Sequence, residues 1–127
     1  MKSLFIKKTK STPEIDFNYK KKLLRMTGES FPENARHFYK DTLIWISEYF
    51  QDKTKDNIFD LKITYLNTSS CKIVTEILEM IQDFHDSKGK INLNWYYEED
   101  DEASKDNGEI FLEDHTFPYV LIPFLDE

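Results

Sequence analysis

Hydrophobic and polar positions change period several times along this chain, and the changes mark its elements. Leu61-Lys62-Ile63-Thr64-Tyr65 alternates, so Ile58 to Leu66 reads as a strand with Leu61, Ile63 and Tyr65 on one face. Ile91-Asn92-Leu93-Asn94-Trp95-Tyr96-Tyr97 alternates in the same way and predicts a second such strand. Elsewhere the period lengthens. Ala35, Phe38, Tyr39, Thr42, Leu43, Ile46, Tyr49 and Phe50 recur at helical spacing and predict a helix to about Gln51. Pro32 and Glu33 suit its first turn, where a proline loses nothing and a carboxylate meets the dipole. Cys71, Val74, Ile77, Leu78, Ile81 and Phe84 or His85 predict another helix, from about Ser70 to Phe84, with Gly89 as its left-handed cap.

Weaker signals fill the remainder. Residues 3–8 suit a short strand, Ile15-Asp16-Phe17 an edge segment, and Leu23 to Thr27 a strand closed by Gly28. Glu98 to Asn107 reads as an acidic, flexible loop, and residues 109–114 as a short helix. Phe117 to Ile122 reads as a last strand, with Pro118 marking its start or an edge position. The order β-β-α-β-α-β-(α)-β predicts a single α/β domain over residues 1–127. It has a mixed, mostly parallel sheet of about four to five strands and helices mainly on one face. Each strand–helix–strand unit should cross over right-handed. Loops 28–34, 66–70 and 98–107 should then open together at the carboxyl edge of the sheet, where α/β proteins usually place their sites.

Composition narrows the function. A formal charge of −7 argues against a nucleic-acid binder and against an anionic membrane surface. One cysteine makes no internal disulfide and fits a reducing cytoplasm. The apolar stretch before Lys7 is too short for a signal-peptide core, and no apolar run is long enough to insert across a bilayer.

Catalytic patterns do not assemble. Gly28, Gly89 and Gly108 form no phosphate-binding loop, and His37, His85 and His115 have no metal-ligand spacing. A calcium loop around Gly108 would place Ala103 and Lys105 at ligand positions, which neither side chain can serve. Cys71 falls on an apolar stripe, as a buried free cysteine does. Thr68 and Ser69 lack the adjacent base that a nucleophile needs. The densest polar chemistry is Tyr65-Leu66-Asn67-Thr68-Ser69-Ser70-Cys71, a strand-to-helix turn with three hydroxyls and an amide. One such residue is enough to cap a helix. The rest suit a place where a helix N-terminus meets an anion or carries one on a hydroxyl.

Gly28-Glu29-Ser30-Phe31-Pro32-Glu33-Asn34, Tyr65-Leu66-Asn67-Thr68-Ser69-Ser70 and Trp95-Tyr96-Tyr97 resemble the SiaC family of bacterial regulatory phosphoproteins, from about Ser11 to Ile122. That family's fold is similar to STAS and anti-anti-sigma domains. The resemblance implies a non-catalytic partner switch without a cofactor. In the family, a dedicated Ser/Thr kinase of the histidine-kinase-like ATPase type phosphorylates a threonine of the Leu-Asn-Thr-Ser-Ser motif, here Thr68. A PP2C-type phosphatase removes the phosphate. The unphosphorylated form binds and activates a diguanylate cyclase, raising cyclic-di-GMP and promoting aggregation or biofilm. The residues expected to meet partners are Glu33, Asn34, Tyr65, Asn67, Thr68, Ser69, Ser70 and Lys72. Two other classes fit the same residues: an anti-sigma-factor antagonist, and a small ligand-binding domain using loops 28–34 and 66–70.

Overall fold

In the computed structural model, which describes residues 1–125, the alternating runs join one six-stranded sheet. The elements are β1 (Leu4–Ile6), β2 (Glu14–Asn18), β3 (Leu23–Ser30), α1 (Ala35–Tyr49), β4 (Asp56–Leu66), α2 (Thr68–Asp86), β5 (Lys90–Glu98), α3 (Glu102–Leu112) and β6 (Tyr119–Phe124). The strands lie side by side in chain order. β1, β2 and β3 pair antiparallel, whereas β3, β4, β5 and β6 pair parallel. Successive right-handed crossovers between adjacent parallel strands send every helix to the same face. α1 packs on α2 there, and α3 lies over β5 and β6. The α/β class, the mostly parallel sheet and the one-sided helices are as the hydrophobic pattern predicts. The strand count is six rather than four to five.

The core lies between sheet and helices. Ile15, Phe17, Leu24, Met26, Phe59 and Leu93 reach it from alternate strand positions, and Tyr39, Ile46, Ile77 and Ile81 reach it from the helices. The opposite face is polar at its centre. Asp60 accepts from Arg25 Nε at 3.1 Å and from Asn94 Nδ2 at 2.8 Å.

Several boundaries differ from expectation for identifiable reasons. Ile15–Phe17 is not an edge, because β2 pairs with β1 on one side and β3 on the other. Gly28 does not end β3. It sits within the strand at φ +131°, a conformation L side chains rarely adopt. The ladder with β4 slips by one residue directly after it. The left-handed residue after α2 is Lys88, at φ +77°, and not Gly89. Gly89 is required by packing instead, since a Cβ there would lie 2.5 Å from the Phe84 ring. Glu98 to Asn107 is not one long loop: β5 includes Glu98, and α3 begins at Glu102. The Asp101 carboxylate accepts from Ala103 N at 3.0 Å and Ser104 N at 3.3 Å, so part of the acidic run caps a helix. Pro118 lies just before β6, which is an edge strand.

Candidate functional site

The carboxyl ends of β3, β4 and β5 bring three helix N-termini to one edge of the sheet. Two of these are tied to each other by one residue. Asn67 N donates to Ser30 O at 3.0 Å, and Asn67 Nδ2 donates to Pro32 O at 3.2 Å. The same side chain caps α2, its Oδ1 accepting from Ser70 N at 2.9 Å. Asn34 caps α1 in the same manner, accepting from His37 N at 3.1 Å. Pro32 and Glu33 therefore precede α1 and are not in its first turn. α2 begins at Thr68, two residues earlier than its apolar stripe suggests, because Asn67 supplies the cap.

The three hydroxyls of the turn have separate fates. Ser70 is fully buried, its Oγ 2.7 Å from Ser30 Oγ, which lies 2.6 Å from the Tyr39 hydroxyl. Burial raises the Tyr39 pKa to about 12, with the Ser30 bond pulling weakly the other way. Ser70 thus holds α2 against β3 and presents nothing to a partner, contrary to its expected surface role. Ser69 Oγ is half-buried and donates to Asn67 Oδ1 at 3.3 Å. Thr68 is exposed as the first residue of α2, and its hydroxyl has no hydrogen-bond partner among the described residues. Lys72, one turn later, is exposed as well. Tyr65 is 55% exposed at the end of β4, its ring 5.8 Å from that of Phe31. Glu33 and Asn34 are exposed beside Pro32. Loops 28–34 and 66–70 meet as expected, but Asn67 and the serine pair fill the space between them.

The open space lies on the other side of the turn. A cavity of about 370 Å³ separates the end of β4 and the start of α2 from α3. Ile63, Leu66, Trp95 and Phe111 give it apolar walls, and Trp95 and Phe111 hold their rings 5.2 Å apart. Thr64, Cys71, Asp101, Ser104 and Asn107 supply its polar atoms. Cys71 is only partly buried, so it is not the core residue its place on the stripe suggests. Desolvation raises its thiol pKa, the opposite of what an activated nucleophile needs. The sequence signal for this cavity was Trp95 near the end of an alternating strand; Gly108 read as lying between a loop and a short helix, and its place within α3 comes from the structure. A Cβ on Gly108 would lie 2.6 Å from Trp95 Nε1, so the glycine sets how closely α3 approaches the sheet. Among the described residues no group of His, Cys, Asp or Glu is arranged to hold a metal ion, and no helix is long and apolar enough to cross a membrane.

Comparison with known proteins agrees with this arrangement. A chain in the crystal structure of diguanylate cyclase SiaD in complex with its activator SiaC, from Pseudomonas aeruginosa, superposes with a TM-score of 0.91 at 31% identity, covering 95% of this chain and 99% of that one. SiaC of Pseudomonas aeruginosa superposes at 0.89 with 31% identity, covering 98% and 100%. An uncharacterized protein of Pseudomonas aeruginosa strain UCBPP-PA14 is 32% identical over 121 residues, 95% of this chain and 96% of its own length. The family model for SiaC family regulatory phosphoproteins matches residues 6–124, and the chain belongs to that family.

Proposed function

We propose that this chain is a phosphorylation-controlled activator of a diguanylate cyclase, with Thr68 as the residue on which the control is written. One observation carries the choice of acceptor. Of the three adjacent hydroxyls, Ser70 is buried, Ser69 is bonded to the cap, and Thr68 is exposed and unbonded. A kinase of the histidine-kinase-like ATPase type adds the phosphate, and a PP2C-type phosphatase removes it. The choice of a cyclase as output partner rests on family membership and on the structural neighbour in which SiaC activates SiaD.

The physics of the switch follows from position. Phosphate adds about −1.5 to −2 charges. At the N-terminus of α2 that charge meets unpaired backbone N–H groups, so the fold tolerates it. A partner that covers Thr68 does not, because burying an uncompensated charge costs several kcal/mol, and about 1.4 kcal/mol is already tenfold in affinity. The chain itself needs no catalytic group for this role.

The test is direct. The protein is incubated with the kinase and ATP, phosphate is mapped by mass spectrometry, and cyclase activity is measured with unmodified protein, phosphoprotein, Thr68→Ala and Thr68→Glu. Phosphate on Thr68, activation by the unmodified protein and loss of activation by the phosphoprotein and Thr68→Glu are expected. Equal activation by Thr68→Ala and Thr68→Glu would overturn the reading. Capture of an anti-sigma factor in place of a cyclase would assign the output to transcription.

A further inference from the structure

We propose that the cavity beside the Thr68 turn is the seat of an apolar side chain carried on a basic segment of the activated cyclase. This deepens the reading above and rests on it. Three observations converge. The cavity, at about 370 Å³, has room for a large aromatic or aliphatic side chain, and Trp95, Phe111, Ile63 and Leu66 give it the apolar walls such a group needs.

Its surroundings select the occupant by charge. Residues 98–109 hold seven carboxylates and one lysine, which is most of the chain's net −7. Asp101 lies on the cavity itself, and Glu102, Asp106 and Glu109 are exposed on α3. A nucleotide or an acidic segment would be repelled there. A segment with lysines or arginines flanking its apolar anchor is attracted and steered in.

The third observation links the cavity to the switch. Cys71 lines the cavity and stands three residues after Thr68 on α2, so the two are neighbours on the helix surface. Tyr65, exposed on the near side, lines the cavity too. A segment anchored in the cavity therefore passes over Thr68. The basic residues of the segment face the carboxylates of α3, so the part that passes over Thr68 is apolar, and a phosphate there would be covered without a counter-charge.

The experiment uses the full-length cyclase as the probe. Alkylation of Cys71, the chain's one cysteine, is followed by peptide mass spectrometry with and without the cyclase, and binding is titrated for Ala103→Trp and for Glu102→Lys/Asp106→Lys. Ala103 is exposed on α3 and lines the cavity, so a tryptophan there fills the space from outside the core. Cys71 labelling in the complex should slow at least fivefold. Ala103→Trp should weaken binding at least tenfold while its melting temperature and its rate of phosphorylation on Thr68 stay as in the wild type. The double lysine variant should flatten the salt dependence of binding. Unchanged Cys71 labelling in the complex, or wild-type affinity of Ala103→Trp, overturns the inference. If Thr68→Glu abolishes binding while Ala103→Trp binds normally, the switch stands and the cavity has no part in it. If the wild-type chain binds no cyclase, both fall.

Discussion

Ser30 Oγ and Ser70 Oγ lie 2.7 Å apart with both residues fully buried, and they bridge the end of β3 to the first turn of α2. Tyr39 of α1 joins them through Ser30, at 2.6 Å. Ser30 is thus the middle of a three-hydroxyl chain and Ser70 is one end. Ser70→Ala leaves Ser30 bonded to Tyr39 and should cost about 1 kcal/mol, the net worth of one hydrogen bond. Ser30→Ala strands two buried hydroxyls, at roughly 1–3 kcal/mol each. Urea unfolding should therefore rank Ser30→Ala as clearly the more damaging, and equal losses would mean that the hydroxyls are not linked as described.

The same chain makes the fold sensitive to alkali. Burial raises the Tyr39 pKa from 10.0 to about 12. Tyr49 is raised too, by burial first and then by Asp52 and Tyr19. A raised folded pKa means that stability is intact below the unfolded value near 10 and is lost as pH climbs through the folded value. Urea midpoints should hold up to about pH 9.5 and fall steadily from about pH 10 to 12. Tyr39→Phe should flatten part of that fall. A fall as steep as in the wild type would remove Tyr39 as a cause.

How much of this was legible in the sequence depends on how local each signal is. The stripes of α1 and α2 and the alternation of β4 and β5 are local, and they placed the carboxyl edge and the meeting of loops 28–34 and 66–70 on it, whereas the third expected loop, 98–107, is mostly the end of β5 and the start of α3. The Ser30–Ser70 bond is not local: its partners are forty residues apart, and Ser30 read as part of a loop. Ser70 looked exposed because hydroxyl-rich turns usually are, whereas Asn67 alone performs the capping and frees Ser70 to turn inward. α3 was obscured by charge. Its N-cap is one aspartate among five consecutive acids, and its buried positions are Gly108 and Leu112, too few for a clear stripe. β2 alternates plainly, but nothing in its own residues says that a three-residue strand covers its outer side.

Phosphate on Thr68 should leave the fold no weaker. It would sit on the first residue of α2, where a negative charge is favourable by about 0.3–1 kcal/mol. The phosphoprotein should melt at the same temperature as the unmodified chain or slightly above it, and high salt should erase the difference. Lys72→Ala should remove part of the gain. A clear drop in melting temperature on phosphorylation would mean that Thr68 contributes more to the native packing than its exposed hydroxyl indicates.

Asn67 couples cap and loop, so its loss should be felt twice. Asn67→Ala removes the cap on Ser70 N and the donor to Pro32 O. About 1–2 kcal/mol is expected from the cap and about 1 kcal/mol from the loop bond. Asn67→Asp keeps the cap and loses only the donor, so it should recover most of the stability. Hydrogen exchange at the amides of Ser69 to Cys71 should speed up in Asn67→Ala and stay slow in Asn67→Asp. Similar exchange in both would show that the cap does not order the turn around Thr68.

Gly108→Ala tests whether α3 sets the shape of the cavity. In a helix interior this exchange ordinarily gains about 1 kcal/mol. Here the added Cβ would meet Trp95 Nε1 at 2.6 Å, Trp95 Cδ1 at 2.9 Å and Leu121 Cδ2 at 3.0 Å. The indole is held between the sheet and Phe111, and Leu121 belongs to the neighbouring strand, so the strain falls on the helix, which must lift away. Overpacking of this kind costs about 1–3 kcal/mol, enough to cancel the helical gain and reverse it. The variant should be less stable by denaturation, and its tryptophan emission should shift to longer wavelength as solvent reaches Trp95. Because the displaced helix also widens the cavity, cyclase binding should weaken in Gly108→Ala while phosphorylation of Thr68, which stands on α2 and not on the displaced α3, proceeds at the wild-type rate. A variant more stable than the wild type with unchanged emission would show that α3 yields without cost and that Gly108 is there for another reason.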